Sequence, residues 1–371
     1  MHIYEYNPLP MTSLHVSFGY GSLYEPRIGS GLHGIPHLIE HLKFHALDPI
    51  LGELDAGGIT RGADTRDTSI VFSFSGLSSR LTADLKRRIV NLLSAPPVWS
   101  EDMFRGERGV VECECRSAYA DPVRCLCMDA YRELFAYAST TGIIQEIAGA
   151  DMKTVYDLCV LHAARPVCIA EVGPEKTDFT GTVDFAPLSM PEPLTLGKYD
   201  VPFATVPSNG GQWGVVAVGT RLIPRDDMYA AAVASDVIGG EDGSPLFSRL
   251  RSGSGLVYFM GCSVCSEAEG ARALITALSP DPDGVRGILD DALGDMESLA
   301  TDDRIAGVIG KYAAEGERRG VLRYSDCQDL TCGGFAVPDY SKMPSSDDVF
   351  AAAEKYFGID SMAVRTAEDY N

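Results

Sequence analysis

Residues 29–44 read Gly29-Ser30-Gly31-Leu32-His33-Gly34-Ile35-Pro36-His37-Leu38-Ile39-Glu40-His41-Leu42-Lys43-Phe44, a glycine-rich approach running into an apolar, periodic segment. The periodicity predicts a helix over about 35–47, entered through the glycines. On a helix, positions i and i+4 lie one turn apart on one face, so His37 and His41 can grip a single metal ion. Glu40, three residues after His37, projects toward the same face, where a carboxylate can take a proton from water at the metal. Two imidazoles do not hold a catalytic zinc. A third protein ligand is needed, with one position left for water.

The next helical stretch offers Glu107-Arg108-Gly109-Val110-Val111-Glu112-Cys113-Glu114. Glu107 and Glu114 are two turns apart and share a face, whereas Glu112 points elsewhere. Spacing does not choose between the two, since acidic pairs of this kind are common on solvated helices. His33 and His45 lie one turn before and one turn after the histidine pair, and read as polar positions near the site, with a supporting role or alternative ligation as the other reading.

Working outward, Leu14, Val16 and Phe18 alternate with His15 and Ser17, which predicts a half-buried strand. A second strand covers 69–74, helices dominate from about 79 to 161 with a break at Ala95-Pro96-Pro97, and a short strand covers 167–172. The proline-rich, aperiodic stretch from Ala186 to Pro193 reads as the heart of a linker over 186–200. The order then restarts. A strand near 214–220, helices near 228–238 and 244–252, a strand over 256–264 and an amphipathic helix over 349–357 are expected. The division is a first domain over 1–185 and a second over 201–371. Similar order in both halves suggests duplication, and mixed rather than strictly alternating elements favour α+β over a doubly wound sheet.

A length of 371 residues suits two domains, and 45% hydrophobic with 22% charged residues excludes disordered, collagenous and coiled-coil chains. Apolar runs fall short of the roughly 20 residues of a membrane span. The first residues lack a basic start and an apolar core, so no secretory signal is read and a cytoplasmic location is expected. A net charge of −21, spread over both halves, argues against a nucleic-acid partner and reads as a solubility feature, with an acidic interior that attracts basic peptides as the sharper alternative. Of ten cysteines, only Cys262 and Cys265 have knuckle spacing, and their stretch reads as a strand. Reduced, mostly buried thiols are expected.

The HxxEH order is the reverse of the HExxH motif of zinc peptidases, and here the chain resembles the M16 family, the pitrilysin and insulin-degrading type. Residues 29–44 are similar to its glycine approach, HxxEH helix and following Phe. Glu107, Arg108, Val110, Val111 and Glu114 are similar to its second signature. Residues 239–251, continuing to Gly255-Leu256-Val257-Tyr258, resemble its glycine-rich segment and the stretch that ends in Tyr. The resemblance implies that His37, His41 and Glu114 bind Zn2+, that Glu40 is the general base and that Glu107 supports the ligands. It also implies that Arg251 and Tyr258 reach over the substrate. The implied fold is α+β, with two homologous domains, each a mixed β-sheet packed with helices, together forming half of a clamshell.

Two departures stand out. From His41 to Glu114 the chain is a few residues shorter than the family pattern. Gly62-Ala63-Asp64-Thr65 occupies the place of an edge-strand motif whose first residue is Asn in the family. The resemblance implies a zinc endopeptidase that hydrolyses unstructured peptides within a dimeric chamber, as a homodimer or a heterodimer with another M16-like subunit. An active subunit of a heterodimeric enzyme that removes a leader from a peptide precursor is an alternative. A non-catalytic peptide-binding partner is another. No membrane partner is expected.

Overall fold

The computed structural model describes residues 1–25, 32–66, 68–120, 140–186, 214–220, 223–240, 243–257, 259–267, 270–319, 343–358 and 362–365. The chain divides into two compact units. The first holds the described residues 1–117 and 140–186, and the second holds 214–318 and the C-terminal segments. Most of the expected linker, from 187 onward, lies outside the described residues, as do Gly29, Ser30, Gly31 and Tyr258.

In the first unit, strands β1 (His2–Tyr6) and β2 (Met11–Phe18) precede helix α1 (Ile35–Phe44), helix α2 (Leu51–Ala56) and strands β3 (Thr60–Thr65) and β4 (Ile70–Leu77). Helices α3 (Ala83–Ser94), α4 (Glu101–Ala120), α5 (Ile144–Gly149) and α6 (Met152–His162) follow, and β5 (Cys168–Gly173) closes the unit. The sheet order is β1-β5-β2-β4-β3. The β1–β5 pair is parallel and the others are antiparallel, so the sheet is mixed.

Strand β2 is not half-buried as its alternation suggests. His15 and Ser17 are as fully enclosed as Leu14, Val16 and Phe18. The reason is position: β2 lies in the middle of the sheet, between β5 and β4. Alternation distinguishes two faces, but does not say that one meets water. Burial pulls the His15 pKa down from 6.5 to about 4, so this imidazole is neutral near pH 7.

Helix α1 ends at Phe44, and a 3-10 turn over His45–Ile50 replaces its expected last residues. Lys43 explains how the helix is held. Its ammonium donates to Leu93 O at 2.6 Å and Ala163 O at 2.9 Å, which are carbonyls at the ends of α3 and α6. It also lies 4.1 Å from the centre of the Phe18 ring. A cation suits helix C-termini, and burial still lowers the Lys43 pKa to about 8. An enclosed charge pair joins Lys86 of α3 to Glu171 of β5. Thr177 completes it, donating to Glu171 from its backbone N–H at 2.9 Å and from its hydroxyl at 2.6 Å.

The second unit begins with β6 (Gly214–Thr220), β7 (Ile223–Pro224) and helix α7 (Met228–Ser235). After π-type turns over Asp236–Gly240 and Ser248–Gly253 come β8 (Phe259–Glu267), β9 (Gly270–Ser279), α8 (Pro282–Leu293), α9 (Asp302–Arg319), α10 (Ser346–Phe357) and β10 (Met362–Arg365). Strand β9 is the centre, with β6 and β7 along one side and β8 along the other. Its alternate residues Ala271, Ala273, Ile275 and Ala277 join Val233, Val237, Leu289 and Phe357 in the core. Strand β8 starts three residues later than expected. Leu256 and Val257 donate instead to Leu250 O, at 3.1 and 3.3 Å, and close the preceding turn.

Cys115, Cys159, Cys168 and Cys262 are buried thiols outside any disulfide, and Cys113 is an exposed one. The other cysteines, apart from the backbone of Cys265 on β8, lie outside the described residues. Among the described residues, no helix is long and apolar enough to cross a membrane.

Candidate metal centre

Helix α1 is entered through Gly34, which has φ +103° and lacks a capping side chain, with Pro36 in the first turn. Glu25 does the capping from outside, its carboxylate accepting the Gly34 N–H. The helix buries Ile35, Pro36, Leu38, Ile39, Leu42 and Lys43. What remains is the stripe of His37, Glu40, His41 and Phe44, at the i, i+3, i+4, i+7 spacing of one helix face.

On α4, Phe104, Val111 and Ala118 are buried, and Glu107 and Glu114 interleave with them. The two stripes meet. His37 Nε2 lies 3.2 Å and His41 Nε2 3.6 Å from Glu114 Oε2. One donor atom from each of His37, His41 and Glu114 falls within 4.8 Å of the others, the one such His/Cys/Asp/Glu triad among the described residues. Glu112 turns away to Arg116, at 3.2 Å.

The donor set fits zinc. Metal–ligand bonds of 2.0–2.1 Å in a tetrahedron separate neighbouring ligand atoms by about 3.4 Å, close to the two distances observed here. The other nitrogens of both rings are engaged: His41 Nδ1 with Glu107 Oε2 at 3.1 Å, and His37 Nδ1 with Thr141 O at 3.4 Å. Such outer contacts fix ring orientation and leave Nε2 for the metal. Glu114 is half exposed, which leaves the open side that a catalytic site needs.

Glu107 lies outside the triad. It bridges two imidazoles, its Oε1 lying 2.8 Å from His45 Nε2. Burial disfavours the Glu107 charge, but hydrogen bonds from His45 and His41 outweigh it and hold the carboxyl below its ordinary range. His45 is raised in turn: burial opposes its charge, and hydrogen bonds to Glu107 and Asp48 overcome that. His37 is lowered by burial and by the neighbouring His41.

Glu40 receives the Thr65 hydroxyl hydrogen bond on Oε2, at 2.6 Å. Burial pushes the Glu40 carboxyl above its ordinary range, while Thr65 and His41 pull it back. A raised carboxyl suits a group that must take and return a proton. Thr65 ends β3, the edge strand of the sheet. Its contact with Glu40 has no sequence signature, because the spacing of 25 residues depends on the path of the intervening loop.

His33 sits away from the triad, with Nδ1 2.8 Å from Glu146 Oε2. Arg251 belongs to the second unit, on the turn after Phe247, and its guanidinium lies 5.3 Å from that ring's centre. Five of the expected residues, His37, Glu40, His41, Glu107 and Glu114, thus come together. Arg251 belongs to the other unit, and Tyr258 is outside the described residues.

No protein-family profile matches the chain, and no curated protein sequence is significantly similar to it. Solved structures are similar in shape. A protease from Helicobacter pylori superposes with a TM-score of 0.78 at 17% identity, covering 98% of this chain and 96% of its own. The peptidase M16 inactive domain from Pseudomonas fluorescens gives 0.74 at 14% identity, covering 98% and 94%. A chain of complex III2 from Candida albicans gives 0.72 at 13% identity, covering 98% and 93%. At these identities the likeness speaks of architecture alone. Over nearly its whole length, then, the chain has the fold of M16 peptidase domains, in which helices pack with mixed β-sheet.

Proposed function

We propose that the protein is a zinc-dependent endopeptidase acting on unstructured peptides. The observation that carries this reading is the convergence of His37, His41 and Glu114 around one point, with Glu40 held beside them by Thr65. Bound there, zinc supplies Lewis acidity toward the peptide carbonyl and lowers the pKa of water. Glu40 takes the proton of the attacking water and returns it to the leaving amine. Glu107 holds the His41 ring by its Nδ1 and so keeps Nε2 turned inward. Among the described residues, strand β3 is an edge of the sheet beside Glu40, where an extended substrate can add as a further strand.

As the resemblance implies, Arg251 and Tyr258 would contact the substrate from the other half of a dimeric chamber, with a second copy or a related subunit as partner. The shared fold of a domain described as inactive supports a second reading, a non-catalytic partner subunit. The intact donor set and the placed Glu40 favour the catalytic one.

The deciding experiment measures zinc content and hydrolysis of quenched peptides by the wild type and Glu40→Gln. Wild-type protein with about one zinc per chain and peptide turnover is expected. Glu40→Gln should keep its zinc and lose on the order of 10³-fold in rate. Retained activity in Glu40→Gln would overturn the mechanism. A zinc-loaded but inactive wild type would favour the partner-subunit reading.

A further inference from the structure

We propose that the segment from Thr141 to Ile147 is a positioning element for the histidine pair: the Thr141 carbonyl selects the tautomer and orientation of His37, and Glu146 holds that carbonyl in place. The inference rests on the zinc-site reading for its consequence, but not for its geometry.

A carbonyl oxygen can only accept a hydrogen bond. With Thr141 O 3.4 Å from His37 Nδ1, the proton of the neutral ring belongs on Nδ1. The lone pair is then on Nε2, the nitrogen 3.2 Å from Glu114 Oε2. The same Thr141 oxygen accepts from the Cys115 thiol at 2.9 Å. Cys115 directly follows Glu114 on α4, so one backbone atom ties the helix of the two histidines to the helix of the carboxylate. His37 thereby gains from the main chain what Glu107 gives His41.

The segment is clipped to the entrance of α1 at several points. Glu146 Oε2 accepts from the His33 N–H at 2.7 Å and lies 2.8 Å from His33 Nδ1. Ile143 N donates to His33 O at 3.1 Å. Gly34 and Gly142 meet so closely that a Cβ on Gly34 would lie 2.9 Å from Gly142 Cα. Beyond the segment, Arg108 of α4 donates to Ala150 O at 3.0 Å. Glu146 touches neither ligand nor substrate site. It acts through His33 and the backbone.

The test uses the full chain, first free of metal. Long-range proton–nitrogen spectra of the imidazoles should show wild-type His37 as the Nδ1–H tautomer. Glu146→Ala should shift it toward a mixture, and Glu146→Gln, whose amide oxygen can still accept from His33, should restore it. Zinc affinity, read by chelator competition, should fall about 10–100-fold in Glu146→Ala and stay near wild type in Glu146→Gln. A wild-type His37 in the Nε2–H tautomer overturns the proposal, with no variant required. So does a Glu146→Ala protein that keeps both the Nδ1–H tautomer and wild-type zinc affinity. A wild type that shows the Nδ1–H tautomer but binds no zinc upholds the positioning and overturns the zinc-site reading.

Discussion

The Thr65 hydroxyl donates to Glu40 Oε2 at 2.6 Å, so the last residue of an edge strand favours the ionised form of the proposed general base against the effect of burial. A hydrogen bond to a carboxylate stabilises its ionised form. Removing it in Thr65→Val raises the Glu40 pKa further. A base works only when ionised, so the acid limb of the kcat/KM profile should move to higher pH, with zinc content unchanged. An acid limb that stayed in place would separate Thr65 from the chemistry.

The two helix-α4 carboxylates should separate cleanly by metal analysis. Glu114→Ala removes a donor and should leave little zinc at equilibrium with a weak chelator. Glu107→Ala removes only the partner of His41 Nδ1 and His45 Nε2, and should weaken binding by about 10–100-fold. Full zinc retention by Glu114→Ala, with loss by Glu107→Ala, would reverse the assignment.

These two roles show what was legible in the sequence. The HxxEH spacing is rigid helix geometry and reads directly. The seven-residue spacing of Glu107 and Glu114 narrowed the third ligand to two residues. The resemblance chose Glu114 of the two, whereas the sharing of Glu107 by His45 took the packing of α4 on α1. The edge-strand place of Thr65 was legible through the resemblance, but its contact with Glu40 depends on a loop path, and Thr141 contributes a backbone atom whose side-chain identity carries no signal. In the fold, β4, β5 and the break at Ala95-Pro96-Pro97 read well. Strand β9, rich in small residues, did not, and the double burial of β2 depends on neighbours remote in sequence.

Acid should destabilise the chain in two overlapping stages. His15 is neutral in the fold, with its pKa lowered from 6.5 to about 4, so the unfolded chain takes up the proton first and stability falls as pH drops from about 6.5 to about 4. Glu171 is the opposite charge type. Burial opposes its ionisation, but hydrogen bonds from His2, Lys86 and Thr177 lower its pKa from 4.5 to about 2. Its contribution is whole above pH 4.5 and is lost on the way down to about 2. Each stage amounts to on the order of 3 kcal/mol. Urea titrations at a series of pH values would measure both, and a flat stability between pH 6.5 and 4 would contradict the buried neutral His15.

Gly34 should resist substitution. A Cβ there would lie 2.6 Å from Ile147 Cδ1, on a backbone with φ +103°. Gly34→Ala should cost more than about 2 kcal/mol, and should also loosen zinc by tilting α1. At Gly149, the end of α5, an added Cβ would meet nothing within 4 Å. Gly149→Ala should change stability by less than about 1 kcal/mol, read by the same urea titrations.

Arg251→Ala should leave zinc content intact and lower kcat more than it raises KM, if the side chain acts in the transition state. Coexpressed with Glu40→Gln chains under a different tag, it should yield a mixed dimer with up to about half the wild-type rate, since one of two independent sites is then whole. A mixed dimer as inactive as its parents would place both groups on the same chain's site.

Strand β5 lies between β1 and β2, although about 150 residues separate it from them. During synthesis, then, the first two strands emerge with a slot between them that stays vacant until Cys168–Gly173 has left the ribosome. At 5–20 residues per second that wait is on the order of ten seconds. Throughout it, β2 carries an apolar edge without its final neighbour, and the histidine pair of α1 is exposed before either carboxylate of α4 can cover it. A nascent chain halted before residue 168 should therefore be captured by chaperones and be protease-sensitive. Emergence of the chain through residue 186 should convert it into a more resistant first unit.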